Sequence, residues 1–535
     1  MNDLSTRGEH AKPRRLRSEV HQSGARKRMA YPRIQDGTDL SAGLSSQEQE
    51  CGGSPLSAPQ APSPPRPLIP EAPIPLNELL RFASDFSEVG RLSEAERMLD
   101  HILSVAPDEP LALHEKGILL FRMKRHQAAA ETIERAVSLA PETTAFRRNL
   151  CPIYERIGRY DDALRVGHET LDRAPYDLQT LYNLAVTYYR KLELDKAVAC
   201  ARRALALDPA APGPHFQLAE ALLLRGEFAE GWREYEWRYR IADAPPLLPP
   251  TDRPQWDGAP LADATLLLIA DQGFGDSIQF CRYLPWACAR CHRVVVVADP
   301  ILHPLIRQMH PALELVDRWD RCPPFAAYRP LSGLPRLHGT TLDTIPGTVP
   351  YLRADLARAA IWRARLQDLL PPATRRIGIV WAGRPTHNND RNRSMSLSTF
   401  APIAALDGIS LVSLQKGPGQ SATADYFERA PLLNLGAEIA DFADTMAVVE
   451  ALDLVVTVDT AVAHLAGAMG KPAWILLPYA PDWRWLLERR DSPWYPTARL
   501  FRQPSPGDWN SVAREVANAL SEPTECQPFM GTANG

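Results

Sequence analysis

At 535 residues the chain is too long for a single hydrophobic core, so roughly two to four domains are expected. A formal net charge of −4 removes the strong positive field that a general binder of nucleic acid or of membrane surfaces needs. Eight scattered cysteines make no disulfide framework, no window reaches the roughly 18 unbroken apolar residues of a membrane span, and the polar start MNDLSTRGEHAKPRR lacks a secretory core, so a cytoplasmic chain with reduced thiols is expected.

Residues 1–72 are rich in Arg, Ser, Pro and Gly and carry no apolar period able to bury a face, so they read as a disordered tail. The basic cluster Arg14, Arg15, Arg17, Arg26, Lys27 and Arg28 within it is read as solvated, with no function assigned. A repeat then begins. Pro107, Pro141, Pro175 and Pro209 stand 34 residues apart, each after an apolar helical run, which is the period of tetratricopeptide-repeat (TPR) units. Small residues recur in the same frame at Ala83, Gly117, Cys151, Ala185 and Ala219, and again at Ala95, Ala129, Ala163, Ala197 and Gly231, where paired helices approach closely. Gly90, Gly158 and Gly226 end the first helix of their units; Lys124 and Leu192 stand at the same place in the other two, where a looser turn is expected. About five units fill 76–245 and predict an all-α superhelix whose concave side is free to hold a protein segment. The array offers no nucleophile, acid or metal cluster. Residues 246–263 are proline-rich and read as a rigid connector, and Trp232, Trp237 and Tyr239 before it serve either to clamp the array to the next domain or to cap its last apolar face.

From Thr265 the pattern changes to short aliphatic runs between helical stretches: TLLLIA, HRVVVVAD, RRIGIVWAG, ISLVSLQKG, DLVVTVD and PAWILLP. Such runs imply parallel sheets covered on both faces, arranged as two α/β Rossmann-type lobes at 264–355 and 374–520, with a helical bridge at DLARAAIWRARLQDLL and a tail at 521–535. A cleft between the strand ends is the natural ligand site.

Four segments carry candidate chemistry. The first strand runs into DQGFGDSIQF, placing Gly273 and Gly275 at a strand-to-helix turn and Asp276 at the mouth of the cleft; a plain tight turn and an ordinary N-cap would use the same residues. WAGRPTHNNDRNRSMSL packs Arg384, Arg391, Arg393 and Ser394 into a loop with almost no apolar side chain, suited to gripping phosphate oxygens or simply to solvent. The next strand ends in Ser413, Leu414, Gln415, Lys416, Gly417 and Pro418, which puts polar donors at the carboxyl end of the sheet. DLVVTVDTAVAHLAGAMGKPAWILL reads as a strand, a turn at Asp459 and Thr460, and a helix starting near Ala461, whose amino end would hold a pyrophosphate without a metal; His464, one turn in, could donate to the same phosphates or be structural. Trp483, Trp485 and Trp494 either line an acceptor side or pack. The CxxCH formed by Cys288, Cys291 and His292 is a chance match, since haem attachment needs export, and zinc with Cys281 added lacks four directed ligands.

Together, GxGD after the first strand, the Arg/Ser-rich loop and DTAVAHLAGAMGKP resemble the family-nine (heptosyltransferase-type) glycosyltransferases, and more closely bacterial TPR proteins with such a domain fused behind, over 76–520. The resemblance implies a GT-B fold and a nucleotide-diphosphate sugar as substrate, with no cofactor. It further implies Asp276 as general base, Arg391, Arg393 and Ser394 as the approximate donor-phosphate loop, and Asp459, Thr460 and His464 as the diphosphate-binding turn and helix. Ala461 departs from the glycine usual there, so the backbone around the phosphates can differ. No Asp-x-Asp pair ends a strand, so no metal is expected. The expected acceptor is a hydroxyl on a protein recruited by the arm; a glycan or lipid-linked acceptor, and a non-catalytic scaffold, are the alternatives.

Overall fold

The structure, a computed structural model, describes residues 75–241, 251–347, 349–387, 389–417 and 432–522. The expected tails at 1–72 and beyond 522, part of the connector, and Pro418 lie outside the described residues.

Ten helices pair into five hairpins: α1 (Leu76–Glu88) with α2 (Leu92–Val105), α3 (Pro110–Arg122) with α4 (His126–Leu139), α5 (Thr144–Arg156) with α6 (Tyr160–Arg173), α7 (Leu178–Arg190) with α8 (Leu194–Leu207), and α9 (Pro212–Leu224) with α10 (Phe228–Tyr235). The small residues of the repeat sit where the paired helices touch. A Cβ on Gly117 would lie 2.2 Å from Ile133 Cγ1, and one on Gly231 2.7 Å from Leu223 Cδ2, so these positions leave no room for a side chain. The prolines fall between units, past the end of each second helix. Pro152 lies inside α5, where its missing N–H frees the carbonyl of Arg148; Asn183 Nδ2–H of the next unit donates to that oxygen at 3.2 Å.

All five intra-unit turns close alike. The residue after the turn donates back to the fifth residue before it, as in Arg91 N–H to Phe86 O at 2.8 Å and Glu193 N–H to Tyr188 O at 2.9 Å. Gly90, Gly158 and Gly226 take φ of 81°, 82° and 83° there. Lys124 and Leu192 take the same left-handed conformation, at 61° and 59°, so the looser turn expected from their side chains does not occur: the two backbone bonds of the turn outweigh the steric penalty on Cβ.

The remainder forms two all-parallel sheets. Strands β1 (Leu261–Ile269), β2 (Cys291–Val297), β3 (Leu313–Val316) and β4 (Ala327–Pro330) lie in the order β3-β2-β1-β4. Strands β5 (Arg375–Val380), β6 (Ile409–Ser413), β7 (Leu432–Asn434), β8 (Leu454–Val458), β9 (Ala473–Leu477) and β10 (Ala498–Arg502) lie in the order β10-β9-β8-β5-β6-β7. The second order is that of a complete doubly wound sheet, and the first reproduces its first four strands; strand order reverses between β1 and β4 and between β5 and β8. The six aliphatic runs supply β1, β2, β5, β6, β8 and β9. Strands β3, β4 and β7 escape sequence reading because they are only three or four residues long, and β10 because Arg499 and Arg502 break its aliphatic run. Strand β1 starts at Leu261, paired with Cys291, inside the stretch expected to be connector. The bridging helix is Leu356–Leu369; Asp355 caps it, and Ala359, Trp362 and Leu366 bury their side chains on the second lobe, where Arg358 pairs with Asp444 at 3.0 Å. No helix among the described residues is long and apolar enough to cross a membrane.

One apolar core runs without interruption from α6 through α10 into both sheets. At the join, the Trp232 indole N–H donates to Thr340 O of the first lobe at 3.0 Å while its ring meets Trp483 of the second lobe edge-on at 5.1 Å. The Tyr239 hydroxyl donates to Asp271 Oδ2 at 3.1 Å, and the Tyr189 hydroxyl to Pro481 O at 3.2 Å. Trp232 and Tyr239 therefore clamp the array, whereas Trp237 stacks on His215 at 3.8 Å within it.

The left-handed turns give a stability test. Lys124→Gly, at an exposed position, removes the Cβ penalty and is expected to raise stability by about 1 kcal/mol in urea or thermal unfolding. The same change at Leu192, whose side chain packs against the core, is expected to gain less.

Candidate functional site

The carboxyl ends of β1 and β8 each turn into a helix, and the two helices meet end to end. After β1 comes Phe274–Phe280; after β8 comes Ala461–Ala468. A Cβ on Gly275 would stand 2.7 Å from His464 Cδ2 and 3.5 Å from Ala461 Cα, so this glycine permits the approach of the second helix and not that of a ligand. Gly273 precedes the first helix with an ordinary negative φ.

Asp276 lies in the first turn of Phe274–Phe280. Its Oδ2 accepts from Gly273 N–H at 3.0 Å, which is the capping role, and its Oδ1 accepts from the Arg484 guanidinium of the second lobe. With its amide turned to satisfy both ends, Gln272 also donates to Asp276 Oδ1, at 2.9 Å. Burial pushes the Asp276 carboxyl above the usual aspartate range, and the facing Arg484 opposes that shift. Arg484 itself is almost fully enclosed: it donates to Asp482 Oδ1 at 2.9 Å and to Gln279 Oε1, and lies over the Trp483 ring at 4.3 Å.

On the other side, Thr460 is extended at the start of Ala461–Ala468 and its hydroxyl bonds Thr457 Oγ1 at 3.0 Å, so no N-cap side chain covers the amino end of the helix. Asp459 is pushed up to about 6 by burial, with Asp482 adding to the shift and Arg393 opposing it. His464 Nδ1 bonds the Tyr495 hydroxyl at 2.9 Å and its Nε2 lies 3.8 Å from Asp459 Oδ1. Burial and the nearby Arg484 hold the imidazole well below its usual pKa, so it is neutral.

The arginine-rich loop divides. Arg393 donates to Asp459 O at 3.1 Å, and Ser394 Oγ accepts from Gly383 N–H at 2.9 Å while donating to Asp390 Oδ1 at 2.8 Å, so both belong to the crevice wall. Arg391 points away. It donates to Glu155 O of α5 at 2.9 Å and ties the second lobe to the repeats. Arg384 is exposed, over the Phe274 ring at 5.8 Å. Two further expected donor-binding residues are consumed by the fold. Gln415 Oε1 accepts from Trp381 and Ala382 N–H at 3.1 and 3.0 Å and its Nε2 donates to Ala382 O and Lys416 O. Lys416 donates to Gly436 O and Ile439 O at 2.8 and 2.6 Å. In each case a buried strand end leaves backbone groups to be satisfied, and the nearest side chain does so. Trp483, Trp485 and Trp494 are 2 %, 0 % and 1 % exposed and thus packing residues, not an open acceptor wall.

The structure thus brings together Gly273, Gly275, Asp276, Arg393, Ser394, Asp459, Thr460, Ala461 and His464, and leaves out Arg391, Gln415 and Lys416. It adds Arg484, Asp482 and Tyr495. The readable signal for Arg484 was an arginine flanked by two tryptophans in PDWRW, just past a strand end. Cys288 and Cys291 have thiols pushed up to about 11 by burial, and no group of three metal-ligating side chains occurs among the described residues.

Models of the tetratricopeptide repeat match residues 80–144, 114–178 and 179–211, so the chain carries an N-terminal array of these repeats. Protein FlbA of Caulobacter vibrioides is 28% identical over 465 residues, covering 80% of this chain and 75% of FlbA; the span exceeds the array, so the likeness extends into the α/β region. An FK506-binding protein-like protein of Rattus norvegicus is 33% identical over 104 residues, 18% of this chain and 30% of that protein. Among solved structures, MamA (41-end) from Desulfovibrio magneticus RS-1 aligns at 20% identity and a TM-score of 0.28, covering 31% of this chain and 93% of MamA. TTC0263, a thermophilic TPR protein of Thermus thermophilus, aligns at 24% identity and a TM-score of 0.28, covering 31% and 91%.

Two substitutions test the geometry. Gly275→Ala is expected to lower stability by roughly 1–3 kcal/mol in thermal unfolding, because the helix ends must separate, whereas Gly273→Ala, whose Cβ meets only Asp276 Oδ2 at 3.1 Å, is expected to cost less. Asp459, raised to about 6 in the folded chain against about 4 unfolded, is easily kept neutral at low pH and destabilises the fold once it must ionise. Asp459→Asn is therefore expected to raise the melting temperature at pH 7.5, with the gain shrinking between pH 6 and pH 4.

Proposed function

We propose that the chain is a glycosyltransferase of GT-B type, moving a sugar from a nucleotide-diphosphate sugar to a hydroxyl on a protein acceptor recruited by the repeat arm. The observation that carries this reading is the meeting, at the carboxyl ends of two doubly wound sheets, of a half-buried carboxylate (Asp276), two guanidinium groups (Arg393 and Arg484) and the uncapped amino end of Ala461–Ala468. In the proposed reaction the acceptor oxygen forms a bond to the anomeric carbon as the bond to the diphosphate breaks. Asp276 takes the hydroxyl proton, and the electron pair leaves with the diphosphate, whose charge the guanidinium groups and helix end stabilise. The residues need no metal for this. The repeat arm supports a protein acceptor, since stacked repeats offer an extended binding surface.

Asp276→Asn is expected to reduce transfer by about 100-fold or more while the variant stays folded and still binds a nucleoside diphosphate. Turnover near wild type would sink the assigned base. Cutting away the arm is not a usable test of the acceptor, because the continuous core would open at Trp232 and Trp483. Mass spectrometry of cellular proteins from a deletion strain reads the acceptor directly.

The occupied state of Asp276, with both oxygens bonded within the chain, favours a second reading in which the lobes serve as a non-catalytic scaffold. Thermal shift with a panel of nucleoside diphosphates separates the two: a ligand bound only by the native state raises the melting temperature, and a scaffold shows no rise.

A further inference from the structure

Arg484 is a charged link between the two lobes. From the loop after β9 it reaches Asp276 and Gln279, both on the first lobe, while holding Asp482 of its own loop. Its guanidinium is shared between two carboxylates, and a second guanidinium, Arg393, bonds the backbone oxygen of Asp459 at 3.1 Å. Phosphate oxygens compete well for such a group, because they match its planar donor pairs and carry more charge than one carboxylate.

We propose that Arg484 is a latch on Asp276, opened by the diphosphate of the donor: the guanidinium passes from the Asp276 carboxylate to the phosphate oxygens, and only then is the carboxylate free to take a proton. The inference rests on the transferase reading and deepens it by making the donor the first substrate and the signal for the base. Without a diphosphate, Asp276 is tied by an ion pair and a backbone bond and is a poor proton acceptor. Once Arg484 transfers, the same half-buried carboxylate is left near Asp482 and Asp271 with that guanidinium no longer on it, a setting that raises its proton affinity.

Isothermal titration of the full-length protein with pyrophosphate and with uridine diphosphate, each in two buffers of different ionisation enthalpy, tests the latch. At mildly acidic pH the wild type is expected to take up protons on binding either probe, whereas near neutral pH the freed carboxylate is expected to stay ionised, as a base must. Asp276→Asn, which keeps shape and removes the competing charge, is expected to bind about tenfold more tightly and to lose most of that uptake. Arg484→Lys, which keeps the charge and loses the fork, is expected to bind more weakly while remaining folded by circular dichroism. Unchanged or weaker binding by Asp276→Asn, or undiminished proton uptake in it, overturns the latch and leaves the transferase reading standing on its activity test. Failure of both probes to bind the wild type overturns latch and donor site together.

Discussion

The molecule is held as one body by aromatic rings buried between the repeat arm and both lobes. Trp232 of the last hairpin bonds the first lobe through its N–H and lies edge-on to Trp483 of the second; Phe228 beside it faces Trp494 at 6.3 Å. Each edge-to-face pair is worth about 0.5–1.5 kcal/mol beyond the area it hides. More consequential is that one helix touches both lobes. The gap between the sheets cannot widen without uncovering rings that belong to the arm, so the arm sets the shape of the crevice as well as adding a surface of its own.

Within that frame the crevice concentrates charge in an enclosed place. Asp276, Asp459 and Asp482 surround two guanidinium groups, with a neutral His464 packed between Tyr495 and Trp485. The half-buried Asp276 carboxylate is costly to hold unless paired, and its guanidinium partner, Arg484, comes from the opposite lobe. The Arg484–Asp276 pair thus completes the join between the lobes. A purely structural join would be better served by apolar side chains, as it is a few ångströms away among the tryptophans.

The repeat array was legible because its physics is local. A 34-residue period, small residues at helix contacts and a turn that needs positive φ are all written in single positions. Even there the side chains misled at Lys124 and Leu192, whose turns close as tightly as the glycine ones because hydrogen bonds, not residue type, decide the conformation. In the lobes, the continuous aliphatic runs marked the central strands, while the short strands with polar residues did not stand out. Asp276, Thr460 and His464 were visible as strand-to-helix turns. Arg391, Gln415 and Lys416 looked equally suited to phosphate, yet each bonds carbonyls or N–H groups that only the folded chain brings near.

What the sequence determined by itself was therefore the set of elements and their order along the chain: five helical hairpins, then two parallel sheets with helix starts at Gly273 and Thr460. These follow from periods and turn chemistry spanning a few residues. What only tertiary structure decided was the partner of each charged group, since Arg484 meets Asp276 across 208 residues of sequence and Arg391 meets Glu155 across 236. Electrostatic and hydrogen-bond partners are chosen by distance in space, and no local pattern in the chain encodes which buried carboxylate a guanidinium will reach.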